Sequence, residues 1–364
     1  MGMTRLEIRS VVVFGGAGFI GSNWTERLLR TTGARVHVFD NLSRSGSRHN
    51  LEHLQEVAGT TGRLQVTVGD VRDAALVSSV LQDANEIYHF AAQVAVTTSL
   101  ADPRLDFEVN LGGTFNVLEG ARQHGRNPFL LFTSTNKVYG NLSVGETVGP
   151  RGAGSMGCDE RRPLDFHSPY GCSKGAADQY VRDYARIYGL RSVVFRMSCI
   201  AGPRQAGSAD QGWVAHFLYS ALEGRPLTIY GDGRQVRDVL HVDDLLRAFE
   251  AAFARRKVTA GQIYNIGGGT GKAISLLELM ERVERLTGEH LDYDFAEARA
   301  GDQVIYVSDH SKFSRHTGWQ PKAGVDEVLS SIHEWYLGNR QLLAGLRIAP
   351  PEPAGMLSPL PRSA

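Results

Sequence analysis

Four apolar residues, Val11-Val12-Val13-Phe14, run straight into Gly15-Gly16-Ala17-Gly18-Phe19-Ile20-Gly21, and no other feature restricts the fold as much. A β-branched run without polar alternation reads as a strand buried on both faces, the environment of a parallel sheet. The glycines recur at 15, 18 and 21, a G-x-x-G-x-x-G spacing. Gly15 permits a sharp turn off the strand, Gly18 lets backbone approach a pyrophosphate, and Gly21 lets the next helix pack close to the strand. The helix predicted over residues 20–30 then turns its free N–H groups toward phosphate charge. Asp40 ends a second apolar run, Val36-His37-Val38-Phe39, 19 residues after Gly21. A carboxylate there accepts both hydroxyls of a ribose and repels a 2′-phosphate, so NAD is expected over NADP. Arg44 lies close by and either tempers that preference or covers the adenosine.

The rhythm continues. Leu64–Val68, Glu86–Phe90, Phe129–Phe132 and Arg191–Phe195 read as further strands, with a helix from about Leu105 to His124 before the third of these. Alternating strands and helices predict an α/β chain with a Rossmann-like doubly wound parallel sheet, ligands lying at the carboxyl ends of its strands. Beyond residue 200 the alternation loosens. Short strands (Leu227–Tyr230, Gln262–Ile266, Val304–Val307) are predicted between helices near 211–223, 243–253 and 275–286. We therefore expect a dinucleotide-binding domain over residues 1–200, to which some later segments return. A smaller α/β substrate lobe is expected over 201–345, and a proline-rich disordered tail over 346–364. A chain of 364 residues is long enough for both folded parts.

Composition removes several classes. Lys plus Arg and Asp plus Glu both number 39, so no broad surface for nucleic acid is expected. Three cysteines without CxxC spacing argue against a disulfide framework. No cluster of His, Cys, Asp or Glu has metal-ligand spacing, and no metal is expected. With no secretory leader before the first strand and no apolar run of about 20 residues, a cytoplasmic protein without a membrane partner is expected.

The chemistry centres on Tyr170-Gly171-Cys172-Ser173-Lys174. Residues four apart share a helical face, and an ammonium beside a phenol can lower its pKa from about 10 toward neutrality. A cationic nicotinamide would act in the same sense. The phenolate could then take a proton from a sugar hydroxyl while the carbon loses a hydride. Tyr and Lys at this spacing also occur on solvated helix faces. Here they follow a nucleotide-binding turn and an apolar run closed by Ser134-Thr135, which points to a redox site. Other positions keep two readings. Asp70-Val71 after Gly69 either meets an adenine edge or forms a surface turn. Asn110, before Gly112-Gly113, is a ligand or a backbone-bonding residue. Phe90-Ala91-Ala92-Gln93 supplies the small residues needed where backbone passes a cofactor.

Together with His89-Phe90-Ala91-Ala92, Val138-Tyr139-Gly140, Gly231-Asp232-Gly233-Arg234-Gln235-Val236-Arg237-Asp238 and Val242-Asp243-Asp244, these motifs resemble the extended short-chain dehydrogenase/reductase family. That family epimerises, dehydrates or decarboxylates nucleotide sugars, and the resemblance spans roughly residues 9 to 340. The segments 134–140, 164–180 and 210–214 look most like members that invert C2 of a CDP-linked hexose. The resemblance implies Thr135, Tyr170 and Lys174 as catalytic residues. It implies tightly bound NAD, not consumed, held by Gly15, Gly18, Phe19, Ile20, Asp40, Asn41, Ser43, Arg44, Asp70, Val71, Phe90, Ala91, Ala92, Gln93, Asn110, Tyr170 and Lys174. A nucleotide sugar is the implied partner, with contacts from Thr98, Ser99, Thr135, Asn136, Lys137, Arg204, Gln211, Val214, Arg237 and Arg299, and a homo-oligomer (dimer or tetramer) is implied as well.

For several of these the residues alone leave a structural role open. Thr98 and Ser99 could simply make a turn, Trp213 and its neighbours could be core, Arg299 could pair with Asp302 at the surface, and His167 is a proton carrier or a local brace. A 4,6-dehydratase of this family needs an Asp-Glu pair after its threonine, and a decarboxylating relative needs a Glu at the second place. Asn136 and Lys137 stand there instead, so elimination is disfavoured. The expected function is an NAD-dependent isomerase that oxidises C2 transiently and returns the hydride to the opposite face. The alternatives are a UDP-hexose 4-epimerase using the same three residues, and an NAD-binding sensor without catalysis.

Overall fold

The computed structural model describes residues 9–142 and 157–345; the proline-rich segment 346–364 lies outside them. Seven parallel strands form the main sheet: β1 (Ser10–Phe14), β2 (Arg35–Asp40), β3 (Leu64–Val68), β4 (Glu86–His89), β5 (Phe129–Thr135), β6 (Arg191–Met197) and β10 (Gln262–Ile266). Their order is β10-β6-β5-β4-β1-β2-β3. The chain winds outward from β1 to β3, then crosses back so that β4 pairs with the other edge of β1. A crevice must open at that reversal, beyond the strand ends, because successive connections leave in opposite directions. The central strands are buried throughout, as β5 shows in all seven residues.

Helices α1 (Phe19–Thr31), α2 (Ser47–Ala58), α3 (Ala74–Val80), α4 (Val96–Ala101), α5 (Pro103–Phe107), α6 (Gly113–Gln123) and α7 (Pro169–Tyr188) belong to this part. The helix predicted from Leu105 to His124 is not uniform: between α5 and α6 the turn Glu108–Gly112 widens to a π-helix. The widening turns Asn110 fully inward, and Gly113 is required after it because a Cβ there would lie 2.5 Å from Val71.

Past residue 200 the chain builds β7 (Cys199–Ala201), β8 (Leu227–Tyr230), β9 (Val236–His241), β11 (Ala273–Ser275), β12 (Tyr293–Ala296) and β13 (Ile305–Tyr306), with α8 (Trp213–Leu222), α9 (Val242–Ala254), α10 (Arg256–Thr259), α11 (Leu276–Thr287), α12 (Ser311–Thr317) and α13 (Val325–Gly338). β9 pairs with β7, β11 and β13, and β8 pairs with β12. Two cores result. Trp24, Tyr88, Phe195 and Phe249 lie in the large-sheet core, which recruits α9, β10 and Phe313 of α12 from the later chain. Val214, Phe217, Leu279 and Ile332 centre the second, between α8, α11 and α13.

Among the described residues no helix is long and apolar enough to cross a membrane. No group of three or more His, Cys, Asp or Glu among them could hold a metal ion.

Candidate active site

A cleft of about 900 Å³ runs along the carboxyl ends of β1, β2, β4, β5 and β6 and is walled on its other side by β7, β8 and α8. Its first end is built from the glycine turn. Gly15 has φ +74°, and a Cβ there would lie 2.6 Å from the Ala91 nitrogen. Ala91 and Phe90 both donate their N–H to the Phe14 carbonyl, so the β1 and β4 ends are sewn together under the cleft. A Cβ on Gly21 would lie 2.0 Å from the Gly15 oxygen, which fixes how closely α1 follows the turn. α1 starts at Phe19 with no side-chain cap and no acid in its first turn. Uncapped N–H groups facing a cleft fit a pyrophosphate.

Asp40 stands at the rim, its two oxygens accepting the N–H of Ala17 (2.9 Å) and Leu42 (2.8 Å). Each carboxylate oxygen retains capacity for a ribose hydroxyl. Burial pushes this carboxyl above its ordinary range, and the backbone donors draw it back. Asn41, Ser43, Arg44, Asp70 and Val71 continue the same wall. The Asn41 Oδ1 accepts from the Ser43 hydroxyl, and Asp70 is paired with Arg72 at 2.9 Å. Arg44 donates to Gln211 Oε1 at 2.5 Å, joining the two sides of the cleft. Phe90, Ala91, Ala92 and Gln93 form the floor.

Asn110 is not on that wall. Its amide exchanges hydrogen bonds with the Gln93 backbone (2.9 and 3.1 Å) and donates to Asp106 and Ser173. It supports the floor from behind, the backbone-bonding role left open by the sequence.

Thr135, Tyr170 and Lys174 converge further along the cleft. β5 delivers Thr135 at its last residue, and α7 delivers the other two from its first turns, capped by the Ser168 hydroxyl on the Gly171 N–H. Burial pushes Tyr170 up to about 12; its hydrogen bond with Thr135 lowers it, Asp106 raises it, and Arg44 lowers it. Burial likewise pulls Lys174 down to about 7. Its Nζ lies 4.2 Å from the centre of the Phe132 ring.

The substrate side carries most of the other expected residues. Arg237 lines the cleft and donates to the carbonyls of Val236 and Gln303. Lys137 Nζ lies 3.2 Å from Asp302, and Arg237 3.5 Å from the same carboxylate oxygen. Arg299 spans the Tyr230 ring at 3.6 Å and donates to the Ala209 carbonyl; its acidic neighbour is Asp210 at 3.6 Å, not Asp302. Gln211 and Val214 reach the cleft, but α8 starts only at Trp213, because Gly212 takes a left-handed φ of +76°. Val214 also packs in the second core, and Trp213 donates to the Cys199 sulfur.

Three candidates are engaged by the protein itself. Ser99 is fully buried and bonds back to the Val96 carbonyl of its own helix, while Thr98 lines the cleft. Arg204 lines the cleft, yet its guanidinium is paired with Glu26 and bonded to His53. His167 is paired with Asp165 at 2.8 Å outside the cleft wall. Residues not singled out for this site are Thr97, Asp210, Asp302 and Gln303. Thr97 donates to Asp210, and Gln303 holds the Asn136 and Gly140 carbonyls. Their only local signal is position beside Thr98, Gln211 and Arg299.

The profile of the GDP-mannose 4,6-dehydratase family matches residues 12–332. A CDP-paratose 2-epimerase from Salmonella typhi is 40% identical over 339 residues, 89% of this chain and 98% of that protein. Among solved structures, a UDP-glucose 4-epimerase from Thermus thermophilus in complex with NAD is 34% identical with a TM-score of 0.77, over 90% of this chain and 99% of that one. A dTDP-glucose 4,6-dehydratase from Streptomyces venezuelae, with NAD bound, is 32% identical with a TM-score of 0.80, over 93% and 100%. The chain therefore belongs to the GDP-mannose 4,6-dehydratase family, within the extended short-chain dehydrogenases/reductases.

Proposed function

We propose that this chain is an NAD-dependent nucleotide-sugar 2-epimerase, interconverting CDP-paratose and CDP-tyvelose or acting on a related CDP- or GDP-hexose. The observation that carries this is the cleft wall after Thr135. Asn136 and Lys137 present an amide and an ammonium there, and the nearby carboxylate, Asp302, is engaged by Lys137 and Arg237. No acid in that pair can remove a hydroxyl from the sugar, whereas an epimerase needs only a base and its partners. The 40% likeness to a CDP-paratose 2-epimerase supports the same choice.

Bound NAD supplies the hydride acceptor. The chain's own residues do the rest. The start of α1 holds the pyrophosphate, Asp40 takes the ribose hydroxyls, Tyr170 accepts the proton of the sugar hydroxyl, and Thr135 bonds the same oxygen. Lys174 supplies positive charge beside them. Arg237 and Arg299 present guanidinium forks to the substrate's two phosphates.

NMR of products from a panel of CDP-, GDP- and UDP-hexoses should show inversion at C2. Deuterium at C2 should give a primary isotope effect and return to C2 of the product, without added cofactor. Inversion at C4 with C2 untouched would instead establish the 4-epimerase, and loss of the C2 label to water would place oxidation elsewhere on the ring.

Asp40→Ala should weaken NAD binding and narrow the preference over NADP, read by isothermal titration with each nucleotide. Equal affinity for both in the unaltered protein would contradict the role given to Asp40. A cytoplasmic homo-oligomer is part of this proposal; cell fractionation and light scattering test it.

A further inference from the structure

Behind Tyr170 and Lys174 lies a polar cluster that the chemistry above does not use. Asp106, on α5, is fully buried. Its carboxylate accepts from the Ser173 hydroxyl (2.5 Å), the Gln93 amide (2.9 Å) and the Asn110 amide (3.0 Å). All three donors are neutral, so the negative charge is solvated by dipoles but not cancelled. A buried carboxylate without a cation is costly unless a positive charge lies near enough to act through the low-dielectric interior.

The cation is one residue from the cluster. Ser173, which makes the short bond to Asp106, directly precedes Lys174 on α7. Lys174 is itself buried, and among the described residues no carboxylate lies within ion-pairing distance of it. Two anions act on it at longer range, Asp106 and Asp178. Asp178 is already paired with Arg196 through both oxygens (2.6 and 3.1 Å) and accepts from the Ser134 hydroxyl. The remaining neighbours offer no negative charge at neutral pH. Phe132 of β5 is apolar, Tyr170 of α7 holds its proton to about 12, and His89 of β4, held down to about 3 by burial and by Lys174, is neutral. Asp106, whose carboxyl is pushed up by burial and drawn back by Ser173, Gln93 and Lys174, is left as the anion without a cation at bonding distance that acts on Lys174.

We propose that Asp106 is a positioning residue of this active site, the counter-charge that keeps the Lys174 side chain protonated while its three hydrogen bonds tie α7 to the cleft floor at Gln93. The inference rests on the catalytic role proposed for Tyr170 and Lys174, but not on which sugar is bound. A neutral Lys174 could not stabilise a Tyr170 phenolate. The balance between burial, which favours the neutral amine, and Asp106, which favours the ammonium, sets how much of the enzyme is competent near neutral pH.

The chain has six lysines, so ¹³Cε-lysine NMR can follow each one through a pH titration, with Lys174 identified by the signal lost in Lys174→Met. NAD content is kept the same in all samples, and no sugar is needed. Asp106→Asn keeps the shape and hydrogen-bonding capacity of the side chain. It should lower the Lys174 midpoint by about one pH unit or more, as expected for loss of a nearby opposite charge. A midpoint unmoved in a folded Asp106→Asn protein would overturn the proposal and leave Asp106 as a brace. The unaltered protein provides a second readout that no folding defect can obscure. The Lys174 signal should show a second, smaller inflection at acid pH where Asp106 takes up its proton, since the two sites titrate as a pair. Its absence would likewise overturn the proposal. With any sugar that turns over, kcat of Asp106→Asn should fall about fivefold further at pH 8 than at pH 6, as a one-unit shift from a midpoint near 7 requires. A loss equal at both pH values would again indicate bracing alone.

Discussion

Tyr170→Phe should cut turnover by at least about a hundredfold, the lower range for a positioned acid–base group, while fold and NAD binding persist. The ring stays on the first turn of α7, so the cleft keeps its shape; only the phenol oxygen is lost from the wall it shares with Thr135. Steady-state kinetics on the sugar found by the panel measure the first part, and calorimetric titration with NAD the second. Burial pushes the phenol up, so positive charge near the reacting oxygen favours its phenolate, and removing the oxygen removes that route. Kinetics unchanged in this variant would take Tyr170 out of the mechanism.

The largest effect on stability should come from the ion pair beneath the site. Arg196 and Asp178 are almost completely buried (3% and 0% exposed side chains) and meet through two bonds. Arg196 also donates to the Tyr139 hydroxyl, which donates to Asn265, whose amide bonds the Cys158 carbonyl. This chain of bonds links α7, β6 and β10. Asp178→Ala leaves a guanidinium buried without its counter-charge and should cost about 3–5 kcal/mol, measured by urea denaturation. Replacing both partners together, Asp178→Leu with Arg196→Met, should cost less than Asp178→Ala alone, because no charge is then stranded. A single-variant loss below about 1 kcal/mol would mean that the pair contributes no more than an exposed one.

Some of this is written locally in the chain. The Val11–Phe14 strand, the turn that follows and the start of α1 depend on covalent geometry and short-range packing. Gly15 must take a positive φ, and Gly21 has no room for a side chain. Tyr170 and Lys174 share a face because α-helical geometry puts residues four apart together. Such features survive in any context that keeps the strand and helices, so residue order suffices to read them.

Other features depend on neighbours remote in sequence. Thr98 and Ser99 are equivalent by type, and the packing of α4 sends one to the cleft and the other inward. Asn110 lies in a helical pattern, but the π-turn and the Gln93 backbone decide that it supports the floor. Asp302 meets Lys137 across 165 residues, and Asp106 meets Ser173 across 67. β10 pairs with β6 in the large sheet although it follows the start of the second lobe. The Tyr170 and Lys174 electrostatics depend on the fold for the same reason: spacing places an ammonium beside a phenol, but burial works against the charge on either. Dihedral limits and hydrophobic periodicity act within a few residues and so are carried by the sequence alone. Desolvation, charge balance and side-chain direction depend on what the fold brings within a few ångströms, and only the tertiary structure decides that.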